Sequence, residues 1–103
     1  MAMIKVKQHD VFKRWIKTVK DPKAKSSILS RVKRLAFGLL GDVKPVGGGL
    51  SELRIDTGKG YRVYFMRQGD ELIIVLCGSQ KKDQQKQIEM AKTLYKEWRT
   101  DNE

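Results

Sequence analysis

A single histidine, a single cysteine and two prolines are all that this chain spends on those residue types, and acidic groups are scarce in its first half. Each shortage closes off a class of answer. One cysteine, Cys77, permits no internal disulfide, and its place at the end of an apolar run reads as core packing, not as a reactive thiol. With His9 as the lone histidine, and with carboxylates that show no clustered ligand spacing, there is no metal site to propose, and no cofactor is expected. Serine and cysteine triads fail for want of a base, because a lone histidine ahead of a helix reads as a surface residue. No GxxxxGK[ST] phosphate loop occurs, and Gly47-Gly48-Gly49 leads into a strand with no helix behind it, so nucleotide hydrolysis is not expected. Apolar runs fall well short of the roughly 20 residues that cross a bilayer, and the opening MAMIKVKQH lacks a signal-peptide core. The expectation is a cytoplasmic protein without membrane contact.

What is present is positive charge. The 103 residues carry 22 Lys and Arg against 12 Asp and Glu, a net charge of +10. Met1 to Leu50 holds 12 basic and 3 acidic groups, and the remainder holds 10 and 9. A surplus of this size favours a polyanion or an acidic protein as partner. The length suits one domain, residues 1–103, with a single core.

Periodicity supplies the elements. Ile4-Lys5-Val6-Lys7 alternates at the period of a half-buried edge strand. Val11, Phe12, Trp15, Ile16 and Val19 follow helical spacing up to Lys20, with Asp10 placed to cap the first free N–H groups. Asp21-Pro22 starts a second helix, whose buried stripe is Ile28, Val32, Leu35, Ala36 and Leu39; Gly38 and Gly41 mark its end. A link this short predicts a helical hairpin. Gly41 to Gly49 reads as a flexible surface loop. Strands are predicted over Leu50 to Asp56, Tyr61 to Gln68 and Leu72 to Cys77, the last two joined by a short turn into an antiparallel hairpin. From Asp83 to Arg99 a closing helix places Ile88, Ala91, Leu94, Tyr95 and Trp98 on one face. The expected class is α+β: a small antiparallel sheet, an N-terminal helical hairpin and a C-terminal helix, with helices on one face and the other face open. Arg62 and Tyr64 share that open face, because side chains alternate along a strand.

The residues left to carry chemistry are cations interleaved with aromatics: Lys59, Tyr61, Arg62, Tyr64 and Arg67 from one hairpin, then Lys81, Lys82 and Lys86. Such a set suits a phosphate. RNA is cleaved without metal when one group removes the ribose 2′-OH proton, another protonates the departing 5′-oxygen, and cations stabilise the phosphorane. A lysine among other cations has its pKa lowered, which fits it for acid or base work. The plainer reading of the same lysines is a solvated strand end.

Leu53-Arg54-Ile55, Gly60-Tyr61-Arg62-Val63-Tyr64-Phe65, and Leu76-Cys77-Gly78 followed by Lys81 resemble the RelE/ParE toxin superfamily, most closely its HigB-like "addiction module killer" branch. The likeness runs in order along nearly the whole chain. It implies the toxin of a type II toxin–antitoxin pair, a cognate antitoxin as partner, and metal-independent cleavage of mRNA on the ribosome. Under that resemblance Arg62 matches the arginine that contacts the scissile phosphate, Lys81 and Lys82 supply a second cation, and Tyr64 is an acid–base candidate. Arg54, Lys59, Arg67 and Lys86 are RNA-binding candidates. Members of this superfamily often carry an acid–base group in the C-terminal segment, where this chain has Gln84-Gln85-Lys86-Gln87. Two alternatives stay open: a toxin of the same fold that inhibits DNA gyrase, and a basic nucleic-acid-binding module without catalysis.

Overall fold

The computed structural model describes residues 3–101. The elements are β1 (Lys5–Gln8), α1 (Asp10–Thr18), α2 (Pro22–Arg34), β2 (Val43–Gly47), β3 (Leu50–Ile55), β4 (Tyr61–Gln68), β5 (Leu72–Gln80) and α3 (Gln84–Asp101), with 3₁₀ turns at Leu35–Phe37 and Lys81–Asp83. The α+β class is as expected. The five strands lie in the order β1-β5-β4-β3-β2. The sheet is mixed, not wholly antiparallel: β1 runs parallel to β5, while the other pairs are antiparallel. A parallel neighbour needs a long crossover, and the helices between β1 and β2 are part of that return path.

The starts of α1 and α2 are explained by side chains that accept from free backbone N–H groups. Asp21 accepts from Lys23 and Ala24 at the head of α2, as read from the sequence. At α1 the cap is His9, whose Nδ1 accepts from the Val11 N–H at 3.1 Å, and not Asp10, which is already helical. Ile28, Val32 and Leu35 are buried as expected, but Leu39 is 60% exposed. The cause is local: the chain tightens into a 3₁₀ turn at Leu35 and then turns left-handed at Gly38, so helical spacing stops before Leu39.

The segment read as a loop, Gly41 to Gly49, holds strand β2 instead. Its pairing with β3 is closed by Gly48-Gly49, both at positive φ, which is the turn that matches the twist of a hairpin. The glycines form the turn and leave Val43–Gly47 free to pair. Arg31 of α2 fastens this side, donating from Nη1 to the Arg54 carbonyl at 2.9 Å.

The second correction concerns the face expected to be open. Strand alternation sends Val63 and Phe65 to one side, where they pack with Phe12, Ile16, Ile28 and Val32 of α1 and α2. Tyr64 and Met66 go to the other side, which α3 covers with Ile88 and Ala91, supported by Leu94, Tyr95 and Trp98. The sheet is therefore sandwiched, and Arg62 and Tyr64 are buried at 4% and 0% exposure. A bulge in the β4–β5 pairing beside Tyr64 places Leu76 and Cys77 together in the α3-side core. Cys77 is buried, as the sequence suggested, and burial pushes its thiol pKa up to about 12.

Candidate functional site

At the end of the sheet where β3 stops and β4 begins, a polar cluster sits beneath the head of α3. Its centre is Glu52, a carboxylate with no exposed surface. Glu52 is opposite Tyr64 across the β3–β4 pair, and Arg54 is opposite Arg62. Like charges facing across two strands repel, and Glu52 answers both: its Oε1 lies 3.5 Å from Arg54 Nε and 3.6 Å from Arg62 Nε. Its Oε2 accepts from the Tyr64 hydroxyl at 3.2 Å and from the side-chain amide of Gln84, the first residue of α3. Arg62 also donates from Nη1 to the Tyr61 carbonyl at 2.9 Å and approaches Asp56 at 3.6 Å. Removing one member of such a buried ion pair costs about 3–5 kcal/mol, since the other is left without compensation.

Burial shifts the Tyr64 phenol well above its ordinary value, the Ser79 hydroxyl opposes part of that shift, and the Glu52 carboxylate adds to it. Tyr64 therefore stays protonated at neutral pH and cannot serve as a base there. Toward solvent the cluster opens through Arg54, whose side chain is 36% exposed and also approaches Asp42 at 3.8 Å. Lys81 and Lys82 are exposed in the turn between β5 and α3. The Lys81 N–H donates to the Gly60 carbonyl at 3.1 Å, which ties that turn to the strand start carrying Arg62.

The structure thus brings together Arg62, Tyr64 and Arg54, with Lys81 and Lys82 in the adjoining turn. Lys86 is exposed within the first turns of α3. Two of the expected RNA-binding residues lie elsewhere. Arg67 is at the far end of β4, where it donates to the Gly69 carbonyl and pairs with Asp70. Lys59 lines a hollow on the α1 side with Trp15, Lys20 and Tyr61. Sequence reasoning missed Glu52 and passed over Gln84. The signal for Glu52 was available: a carboxylate between Leu50 and Leu53 in an apolar strand is a charge that must find buried partners. Among the described residues no three of His, Cys, Asp or Glu gather into a metal-binding group, and none of the helices is long and apolar enough to cross a membrane.

The fold is that of the RelE toxins. It superimposes with a TM-score of 0.62 and 15% identity, over 78% of this chain and 100% of the other, on a chain from the crystal structure of the toxin–antitoxin complex RelBE2 of Mycobacterium tuberculosis. Residues 14–96 match the family described as phage derived protein Gp49-like (DUF891), and the chain belongs to that family. An uncharacterized protein of Haemophilus influenzae is 47% identical over 94 residues, which is 91% of this chain and 95% of its relative.

Proposed function

We propose that this chain is the toxin of a type II toxin–antitoxin pair, of the HigB-like kind, and that it cleaves mRNA on the ribosome without a metal. The observation that carries the reading is the cation set at one end of a RelE-like sheet: Arg62 and Arg54 on neighbouring strands, with Lys81 and Lys82 in the turn tied to Gly60. A phosphate entering there meets Arg54 and the lysines first, with Arg62 behind them. These cations offset the charge that builds on the phosphorane as the 2′-oxygen attacks and the 5′-oxygen leaves. Lys81 or Lys82, as the neutral amine, takes the 2′-OH proton and becomes the ammonium. Tyr64, held protonated, is the candidate to return a proton to the departing oxygen. Glu52 touches neither atom of the reaction and acts as a positioning residue, fixing the Arg62 guanidinium and the Tyr64 hydroxyl. Because Tyr64 lies under Gln84, the head of α3 shifts when RNA enters. Lys86 contributes a more distant phosphate contact. The acidic partner that the +10 charge calls for is the cognate antitoxin.

Mapping transcript 5′ ends within minutes of induction tests the proposal. New ends inside translated frames support it; growth arrest with intact transcripts and altered DNA supercoiling refutes RNA cleavage. That second outcome is the gyrase reading, and one observation favours it: Arg62 and Tyr64 are covered and already partnered. A non-catalytic nucleic-acid binder would instead show salt-sensitive RNA binding with neither effect.

A further inference from the structure

The hollow on the α1 side that Lys59 lines lies at the same end of the sheet as the buried cluster, on the other face. It holds about 520 Å³, within the roughly 300–1,000 Å³ of small-molecule sites. Its walls are aromatic: Trp15 of α1 and Tyr61 of β4 meet edge to face with ring centroids 6.2 Å apart. The indole is held in place, since its benzo edge is pressed on the backbone of β5 at Gly78. Gln80, the last residue of β5, and two exposed lysines, Lys20 and Lys59, also line the hollow. Two of the polar groups there are already occupied. Asp21, the one carboxylate in the lining, caps α2, and the Thr18 hydroxyl donates to the Trp15 carbonyl at 2.6 Å. The Tyr61 hydroxyl, the Gln80 side-chain amide and both lysine ammonium groups have no hydrogen-bond or ion-pair partner among the described residues. The Tyr61 and Gln80 groups are not among the buried unpartnered atoms, so they stand open to a ligand.

A ligand that uses all of these groups is flat and apolar on its faces, polar at its edge and negatively charged around it, as a nucleotide within a strand is. From this we infer that the hollow between Trp15, Tyr61 and Gln80 holds one base of the RNA strand, next to the phosphate to be cut, with Lys20 and Lys59 on the neighbouring phosphates. The inference rests on the RNA-cleavage reading above and adds a base-binding subsite to it. Alternation along β4 links the two places: Tyr61 enters the hollow while Arg62, the next residue, enters the cluster on the other face. An RNA strand passing over this end of the sheet therefore puts neighbouring nucleotides on opposite faces. At the crossing lies Gly60, whose carbonyl accepts from the Lys81 N–H at 3.1 Å and whose bare Cα the Lys81 side chain runs past, so a cation lines the passage. Stacking on an aromatic ring accepts every base, and the Gln80 amide, a donor and an acceptor in one group, is the element able to discriminate among their edges. An acidic peptide, by contrast, engages the lysines and leaves the aromatic walls unused.

The test titrates the full isotopically labelled chain with three probes: a single-stranded RNA hexamer, 2′-O-methylated so that it is not cut, the same strand without its bases, and a hexaglutamate peptide. The base-bearing strand is expected to shift the Trp15 indole N–H and the Gln80 side-chain amide saturably, and to bind about tenfold more tightly than the abasic strand. Lys59→Glu, at an exposed residue that leaves the fold intact, is expected to weaken RNA binding by about tenfold and to lessen its dependence on salt. Trp15→Phe keeps a ring against β5 and is expected to weaken only the base-bearing strand. Equal binding of the abasic strand, shifts confined to the Arg62 and Lys81 end, unchanged binding by Lys59→Glu, or equal shifts of Trp15 by the peptide would overturn the subsite. Transcript mapping separates the two ideas. If the hollow fails these tests while new transcript ends persist, the subsite falls and the ribonuclease stands; if the base-bearing strand binds there and no transcript is cut, the reverse holds.

Discussion

The two faces of the sheet are built on different principles. On the α1–α2 side the buried set is apolar, from Phe12 through Ile28 to Val75, with Tyr61 the one residue bearing a polar tip. On the α3 side an apolar patch around Ile74, Leu76 and Ala91 gives way, toward one end, to Glu52, Arg62 and Ser79, all buried. An apolar core stabilises through area removed from water and tolerates changes that keep volume. A buried charged cluster adds little net stability and punishes any single deletion. The α1–α2 face is thus held by apolar packing and the α3 face by apolar packing beside a buried charged cluster, and the two can be perturbed separately.

The largest effects come from matched deletions. Phe12→Ala and Glu52→Ala should each cost about 3–5 kcal/mol, the first by leaving a cavity and the second by leaving Arg62 uncompensated. Urea unfolding measures both, and equal losses would show that a cavity on one face and a stranded charge on the other are punished alike. Glu52→Gln sharpens the contrast, since it keeps shape while removing charge: it should cost nearly as much stability as Glu52→Ala because Arg62 is again left uncompensated, whereas Ile28→Val should cost only about 0.5–1.5 kcal/mol.

Next in size is Gly78→Ala. A Cβ there would come within 2.3 Å of the Trp15 ring, which lies against the backbone of β5. Overpacking of this kind costs about 1–3 kcal/mol, read as a lowered Tm and altered Trp fluorescence, with the α3-side cluster left in place.

A pH series probes the α3 side alone. Cys77 and Tyr64 are both raised above their unfolded values, so their stabilisation is complete below about pH 9 and declines as pH rises above it, because only the unfolded state releases the protons readily. Each group steepens the alkaline loss by up to about 1.4 kcal/mol per pH unit. Cys77→Ala and Tyr64→Phe should each flatten that limb of the stability curve, and substitutions on the α1–α2 side should not. The smallest effect is expected at Gln84→Ala. Losing its hydrogen bond to Glu52 should cost about 1 kcal/mol, and by loosening the head of α3 it should raise activity per folded molecule.

Most of the architecture was legible because it rests on local signals. Strand β4 ran from Tyr61 to Gln68 as the alternation predicted, Asp21 capped α2, and the face of α3 from Ile88 to Trp98 packed as its spacing required. What escaped was non-local. Three consecutive glycines look like a loop until β3 is there to pair with the residues before them. Alternation shows that Arg62 and Tyr64 share a face, but not that α3 returns to cover it. The same limit hid Glu52: its partners lie on three elements, Arg62 and Tyr64 on β4, Arg54 on its own strand and Gln84 on α3. The candidate cations were legible as residue types, and their gathering was not; Arg67 stands at the other end of β4 and Lys59 on the α1 side of the sheet.

The central claim is that Arg62, held by Glu52, serves RNA cleavage and not folding alone. Replacing the pair together, as Glu52→Gln with Arg62→Met, removes both fully buried charges and leaves Arg54 to pair with Asp42, so the fold should be preserved by circular dichroism. Wild type and this variant should be induced side by side and transcript 5′ ends mapped within minutes. The account predicts new ends inside translated frames for the wild type and none for the folded variant; a folded variant that cuts as the wild type does would contradict it.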